Sequence, residues 1–193
     1  DLKKYKQYKL KSKFTEYINK DKNIPSLLKD LKQKIKIIDC GKPNMKRAEE
    51  LYNKTNQFNF SLNRYKSNDL FDIRNNKDFE IKLFSLKDKF GDHGIIGSYI
   101  LKKKKDSVLI SDFILSCRVL YRYVEQYILD KIIKQNSKKK VKIFYKKTNA
   151  NSNLIPKFLK KQQFSLSYKD KNCFLYNVKF DKKSIYETKK IFK

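Results

Sequence analysis

At 193 residues the chain has the length of one domain with a real core, and a hydrophobic share of 39%, including 14% aromatic, excludes a disordered basic tail. Its 48 Lys and Arg against 20 Asp and Glu leave a formal charge of +28, which predicts an anionic partner such as nucleic acid, a membrane surface or an acidic protein. Three scattered cysteines with no CxxC pair exclude a disulfide framework and a cysteine zinc site and fit a reducing, cytosolic setting, while no apolar run approaches the roughly 20 residues that span a bilayer.

The opening stretch to about Lys20 predicts a helix with Leu10, Phe14, Tyr17 and Ile18 on one face. Pro25-Ser26 starts a short helix through Leu27, Leu28 and Leu31, and Ile35 to Ile38 is a brief strand. Asn44 is placed as the N-cap of a helix whose stripe is Ala48, Leu51, Tyr52 and Thr55, and another short helix covers Asp69 to Arg74. Phe79, Ile81 and Leu83 alternate as in a half-buried strand. Gly91-Asp92-His93-Gly94 then turns the chain into a returning strand over Ile95 to Leu101. A third strand runs from Val108 to Leu115, and a long helix carries Leu120, Val124, Tyr127, Ile128 and Ile132. Val141 to Tyr145 is a strand, Asn151 to Lys161 a helix and Phe174 to Phe180 the last strand. The order predicts an α/β domain on one mixed sheet. Residues 1–44 form an N-terminal helical and linker segment packing on a domain over 45–193.

Three segments carry a family resemblance. Arg47 to Phe60 contains NKTNQFN from Asn53 to Asn59, with Arg64-Tyr65 beyond it; Phe84 to Gly94 reads FSLKDKFGDHG, with Gly97 following; Asp112 to Leu120 reads DFILSCRVL, with Val124-Glu125 beyond. In that order they resemble the C-terminal domain of the FkbH-like family. The resemblance implies a GNAT-like (acyl-CoA N-acyltransferase) fold, a mixed central sheet flanked by helices. The family's upstream haloacid-dehalogenase-type domain, with its DxDxT loop, has no counterpart here, so its phosphoryl chemistry is not assigned to this chain. That domain and an acyl-carrier protein are the partners the family implies, and the first residue, Asp1, fits a piece of a longer protein.

In GNAT enzymes an R/Q-x-x-G-x-G/A loop offers backbone N–H groups at a helix N-terminus to the acyl-CoA pyrophosphate. The matching positions here are Arg118-Val119-Leu120-Tyr121-Arg122-Tyr123, with tyrosine in place of both glycines. By the resemblance, the backbone of Phe113, Ile114, Leu115 and Ser116 polarises a thioester carbonyl. Arg118 and Arg122 hold phosphate beside Tyr121 and Tyr123, and Asn151 meets the pantetheine arm of acetyl-CoA, another acyl-CoA or phosphopantetheine, or caps the next helix. Asn53, Thr55, Asn56, Gln57 and Asn59 either recognise the acyl or pantetheine amides or cap a helix end and turn the chain. Asp88 is the candidate base and Cys117, at a strand-to-helix junction, the candidate nucleophile; their plain alternatives are a turn-forming Asp and a small buried residue. His93, alone in its turn, is expected at the surface. No metal site is predicted.

Three functions follow, in order of preference. The first is an acyltransferase-type domain handling an acyl group on CoA or a carrier protein. The second is a non-catalytic carrier-docking or substrate-orienting module, which the two tyrosines favour. The third is a basic nucleic-acid binder, which no recognisable motif supports. The Lys102–Lys105 and Lys138–Lys140 runs are solvated turns or meet an acidic surface. The surplus of Lys over Glu, with abundant Asn and Ile, also reflects AT-rich coding.

Overall fold

Residues 24–162, 164–178 and 188–192 are described by a computed structural model; the helix expected before Lys20 lies outside them. Helix α1 (Ile24–Asp30) buries Leu27 and Leu28, and β1 (Lys34–Asp39) follows. Helix α2 (Lys42–Lys54) is capped by Gly41, not Asn44, because Pro43 fits the first turn, where no N–H is needed. Its Met45, Ala48, Leu51 and Tyr52 fall on one buried stripe, and it stops at Thr55, whose N–H returns to Leu51 O. Helix α3 (Ser67–Asn75) begins where the Asp69 carboxylate accepts the Lys66 N–H at 2.7 Å.

The strands β2 (Phe79–Asp88), β3 (Gly91–Lys103) and β4 (Ser107–Leu115) form an antiparallel meander. The β2–β3 turn lies at Lys89-Phe90, earlier than the glycines suggest. The Asp88 carboxylate sets it by accepting the Phe90 and Gly91 N–H groups at 2.8 and 3.2 Å. Within β3 glycine is required at Gly97, where a Cβ would lie 2.2 Å from Phe84 Cζ and 2.5 Å from Ile114 O. A 3-10 turn (Cys117–Val119) leads to α4 (Val124–Gln135), then β5 (Lys140–Lys146), α5 (Leu154–Lys161), β6 (Ser165–Asp170) and β7 (Cys173–Asn177).

The seven strands among the described residues join one sheet in the order β1-β2-β3-β4-β5-β7-β6, antiparallel except for β4 against β5. β1 forms an edge of that sheet, so residues 34–39 belong to it. Leu120 lies in the loop before α4, and β6 escapes sequence reading because all its residues are exposed. One core lies under α4 and α5, around Phe84, Phe113, Ile128 and Ile143. A second lies under α2 and α3, around Leu51, Tyr52, Ile100 and Ile114. These layers match the mixed sheet flanked by helices expected from the sequence.

Candidate functional site

The parallel β4–β5 pairing runs from Ser107/Lys140 to Ile110/Ile143 and then stops, although β4 continues to Leu115 and β5 to Lys146. The strands splay, which exposes backbone groups that need partners. The chain supplies them itself. Phe60 N–H donates to Phe113 O at 3.1 Å, Leu115 N–H to Phe58 O at 3.0 Å, and Lys146 N–H to Phe60 O at 2.8 Å. Residues 58–60 are thus a short interstrand plug, antiparallel to β4 through the Asn59/Ile114 bridge. The Phe60 ring meets Phe58, Phe113, Tyr145 and Phe158 edge-on, with centroids 5.5 to 6.4 Å apart.

Two of the predicted polar residues, Asn59 and Asn151, hold this plug. Asn59 Nδ2 donates to Thr55 O at 3.0 Å, and Asn59 Oδ1 accepts Leu62 N–H at 2.9 Å. Asn151 Nδ2 donates to Asn59 O and to Lys146 O, both at 2.9 Å, clamping plug and β5 together. Its Oδ1 accepts Thr148 N–H, and the α5 N-cap is Asn153, so Asn151 caps the preceding turn and not the helix. Asn53 Nδ2 donates to Glu49 O and Tyr65 O; Asn56 Oδ1 accepts from Arg64; Gln57 is exposed.

Beyond the plug, Asp112 is buried with no cation at its carboxylate among the described residues. Ser61, Asn63, Tyr65 and Ser111 donate to it instead, at 2.5 to 3.3 Å. Burial first, then the nearby Asp112 carboxylate, pushes the Tyr65 phenol pKa up. Neither Asp112 nor the rings of Phe58 and Phe60 stood out as site residues in the sequence, although all three lie inside the motifs that carry the resemblance.

The loop from Ser116 to Tyr123 keeps a glycine-like backbone without glycine: Tyr121 and Tyr123 have φ of 66° and 62°. Each left-handed residue costs about 1–2 kcal/mol for an L side chain. Tyr121 is 67% exposed. Tyr123 lies under Lys161, whose Nζ is 4.6 Å from the ring centroid and 3.1 Å from the hydroxyl. Tyr121→Gly is therefore expected to stabilise the fold by about 0.5–1 kcal/mol after the entropy cost of glycine. Tyr123→Gly is expected to be near neutral, because the Lys161 contact is lost; urea unfolding of the two variants measures this contrast. In the first turn of α4, burial pushes the Glu125 carboxyl up to about 7.

The arginines of the loop turn inward. Arg118 Nη2 donates to His93 O at 2.8 Å and Ile95 O at 3.2 Å, and burial, then Arg47, brings its pKa down to about 10. Arg122 Nη1 meets Asp88 Oδ2 at 2.5 Å, and His93 Nε2 lies 2.9 Å from the same oxygen. His93 is buried, contrary to the expected surface position, because it is drawn under the turn by Asp88. Burial raises the Asp88 pKa, but the His93 ring, the Arg122 guanidinium and the Phe90 N–H outweigh it and hold the carboxyl below its ordinary value. Both Asp88 oxygens are engaged inside the protein. Ser116 N–H donates to Ile96 O at 2.7 Å, and Cys117 is exposed at the opening of the 3-10 turn. The three motifs thus converge on the C-terminal end of β4.

No protein-family model and no curated protein matches the sequence. Solved structures do. The ribosomal-protein-S18-alanine N-acetyltransferase of Escherichia coli aligns at a TM-score of 0.54 and 8% identity, over 75% of this chain and 92% of that one. A PaiA N-acetyltransferase of Thermoplasma acidophilum, in complex with coenzyme A, aligns at 0.54 and 15% identity, over 75% and 98%. A GNAT family acetyltransferase of Elizabethkingia anophelis, with acetyl-CoA bound, aligns at 0.51 and 13% identity, over 77% and 98%. At these identities the likeness is one of fold: the chain has the GNAT fold.

Proposed function

We propose that this chain is a GNAT-fold module that binds and orients an acyl-carrying partner and does not itself take an acyl group from CoA. One observation carries this reading: residues 58–60 lie between β4 and β5, hydrogen-bonded to both. The FkbH-like resemblance puts a thioester carbonyl at Phe113 to Ser116 and a pantetheine arm at Asn151. The space between those points is the one the plug fills. An incoming pantetheine would have to break the Leu115–Phe58 and Lys146–Phe60 bonds and displace two rings from an aromatic cluster. The inward-facing Arg118 and Arg122 support the same reading, since Arg118 donates to His93 O and Ile95 O and Arg122 to Asp88 inside the protein. Asp88, engaged on both oxygens inside the protein, has no free oxygen to act as a base.

A second reading, acyl transfer from CoA, is favoured by the left-handed backbone at Tyr121 and Tyr123 and by the coenzyme complexes among the structural neighbours. Isothermal titration at low salt separates the two. Acetyl-CoA is expected to give no binding heat, whereas an acyl-carrier protein binds. Micromolar binding of acetyl-CoA to the unmodified chain would sink the docking reading and support acyl transfer.

A further inference from the structure

The α2–α3 layer covers only part of its side of the sheet. On the same face, Leu109, Phe144 and Leu175 belong to neither core, and Phe144 pairs with Leu175 across β5 and β7. Lys102 pairs with Leu109 and Leu109 with Lys142, so a lysine–leucine–lysine row crosses three neighbouring strands. A shallow pocket of about 220 Å³ opens there, with Leu109 and Leu175 among its apolar lining and Lys102, Lys104 and Lys142 beside them. Lys139 Nζ donates to Lys104 O at 3.2 Å, so the two basic runs of the sequence meet at this end of the molecule. Lys103 is paired with Glu80, but among the described residues no acid pairs with Lys104, Lys138 or Lys142.

We propose that this face docks an acidic, amphipathic segment of another protein. Charge selects the occupant. A second copy of the chain brings the same +28, and residues 1–23 hold far more lysines than acids, so both are repelled. The pocket lining selects further: a leucine flanked by glutamates buries its side chain against Leu109 and Leu175 while its charges meet the lysines. The rings of Phe144 and Tyr168, paired with Leu175 across the strands, make a nucleic acid the competing occupant that oligothymidine tests. The surface is separate from the plugged cleft. Leu109 and Leu115 are six residues apart along β4, roughly 20 Å of strand.

Fluorescence anisotropy tests this with three probes: a helical peptide with leucines at i and i+4 among glutamates, its equally charged serine counterpart, and oligothymidine. The leucine peptide is expected to bind at least about tenfold more tightly than either of the others. Lys142→Glu is expected to weaken it by about tenfold, while Lys46→Glu, the same charge change on exposed α2 surface, leaves it within about twofold. Equal binding of the serine peptide, tighter binding of oligothymidine, or equal losses from the two charge reversals would overturn the proposal.

Discussion

Asp88→Ala is expected to cost about 3–5 kcal/mol of folding stability, because it removes the carboxylate that the buried Arg122 guanidinium pairs with. The side chains of Asp88 and Arg122 are wholly out of water and that of His93 nearly so. A charge in that position is strongly stabilised by the carboxylate beside it. The carboxylate also holds the Phe90 and Gly91 N–H groups, so the β2–β3 turn loosens in the same step. Asp88→Asn keeps an acceptor for the turn and should recover part of the loss. For a chain of this size each kcal/mol moves the melting temperature by about 2–4 °C, so the alanine variant should melt roughly 10 °C lower. The acid limb gives a second readout. The folded Asp88 pKa lies below its ordinary value of 3.8, so its contribution is present above that value and is lost as pH falls through the depressed one. Urea unfolding from neutral pH down through that range should show a steeper acid loss in the parent chain than in Asp88→Asn.

The same cluster shows where sequence reading stops. The alternation of Phe79, Ile81 and Leu83 and the helical stripe of Val124, Ile128 and Ile132 mark β2 and α4, because burial on one face imposes a period on the residues. No such period marks Ser165–Asp170, whose residues all face water. The α4 start slips from Leu120 to Val124 because Tyr123 is left-handed, a conformation no pattern of apolar residues reports. The motif residues were visible as words, but their partners were not. Asp88 and Arg122 are 34 positions apart, and Asn59 and Asn151 are 92 apart. Folding alone turns a polar run that resembles a ligand wall into the clamp on an internal plug.

Phe60→Ala puts that plug to its hardest test, with an expected loss of about 3–5 kcal/mol for a fully buried ring. The ring lies among Phe58, Phe113, Tyr145 and Phe158, so its removal leaves a cavity bounded by both splayed strands. Two amides report on the slot directly. Leu115 N–H and Lys146 N–H depend on Phe58 O and Phe60 O as acceptors, and their hydrogen exchange should quicken well beyond that of the β2–β3 ladder. On the proposed docking reading plug and loop act in series: the plug would bar a pantetheine arm, and Tyr121 and Tyr123 stand where the resemblance puts two glycines. Acetyl-CoA binding is accordingly expected only when Phe60→Ala is combined with Tyr121→Gly and Tyr123→Gly, and not from either change alone. If Phe60→Ala costs under about 1 kcal/mol with both amides still protected, the side chain is not what closes the cleft, and the main-chain bonds of Phe58 and Phe60 must hold it shut by themselves.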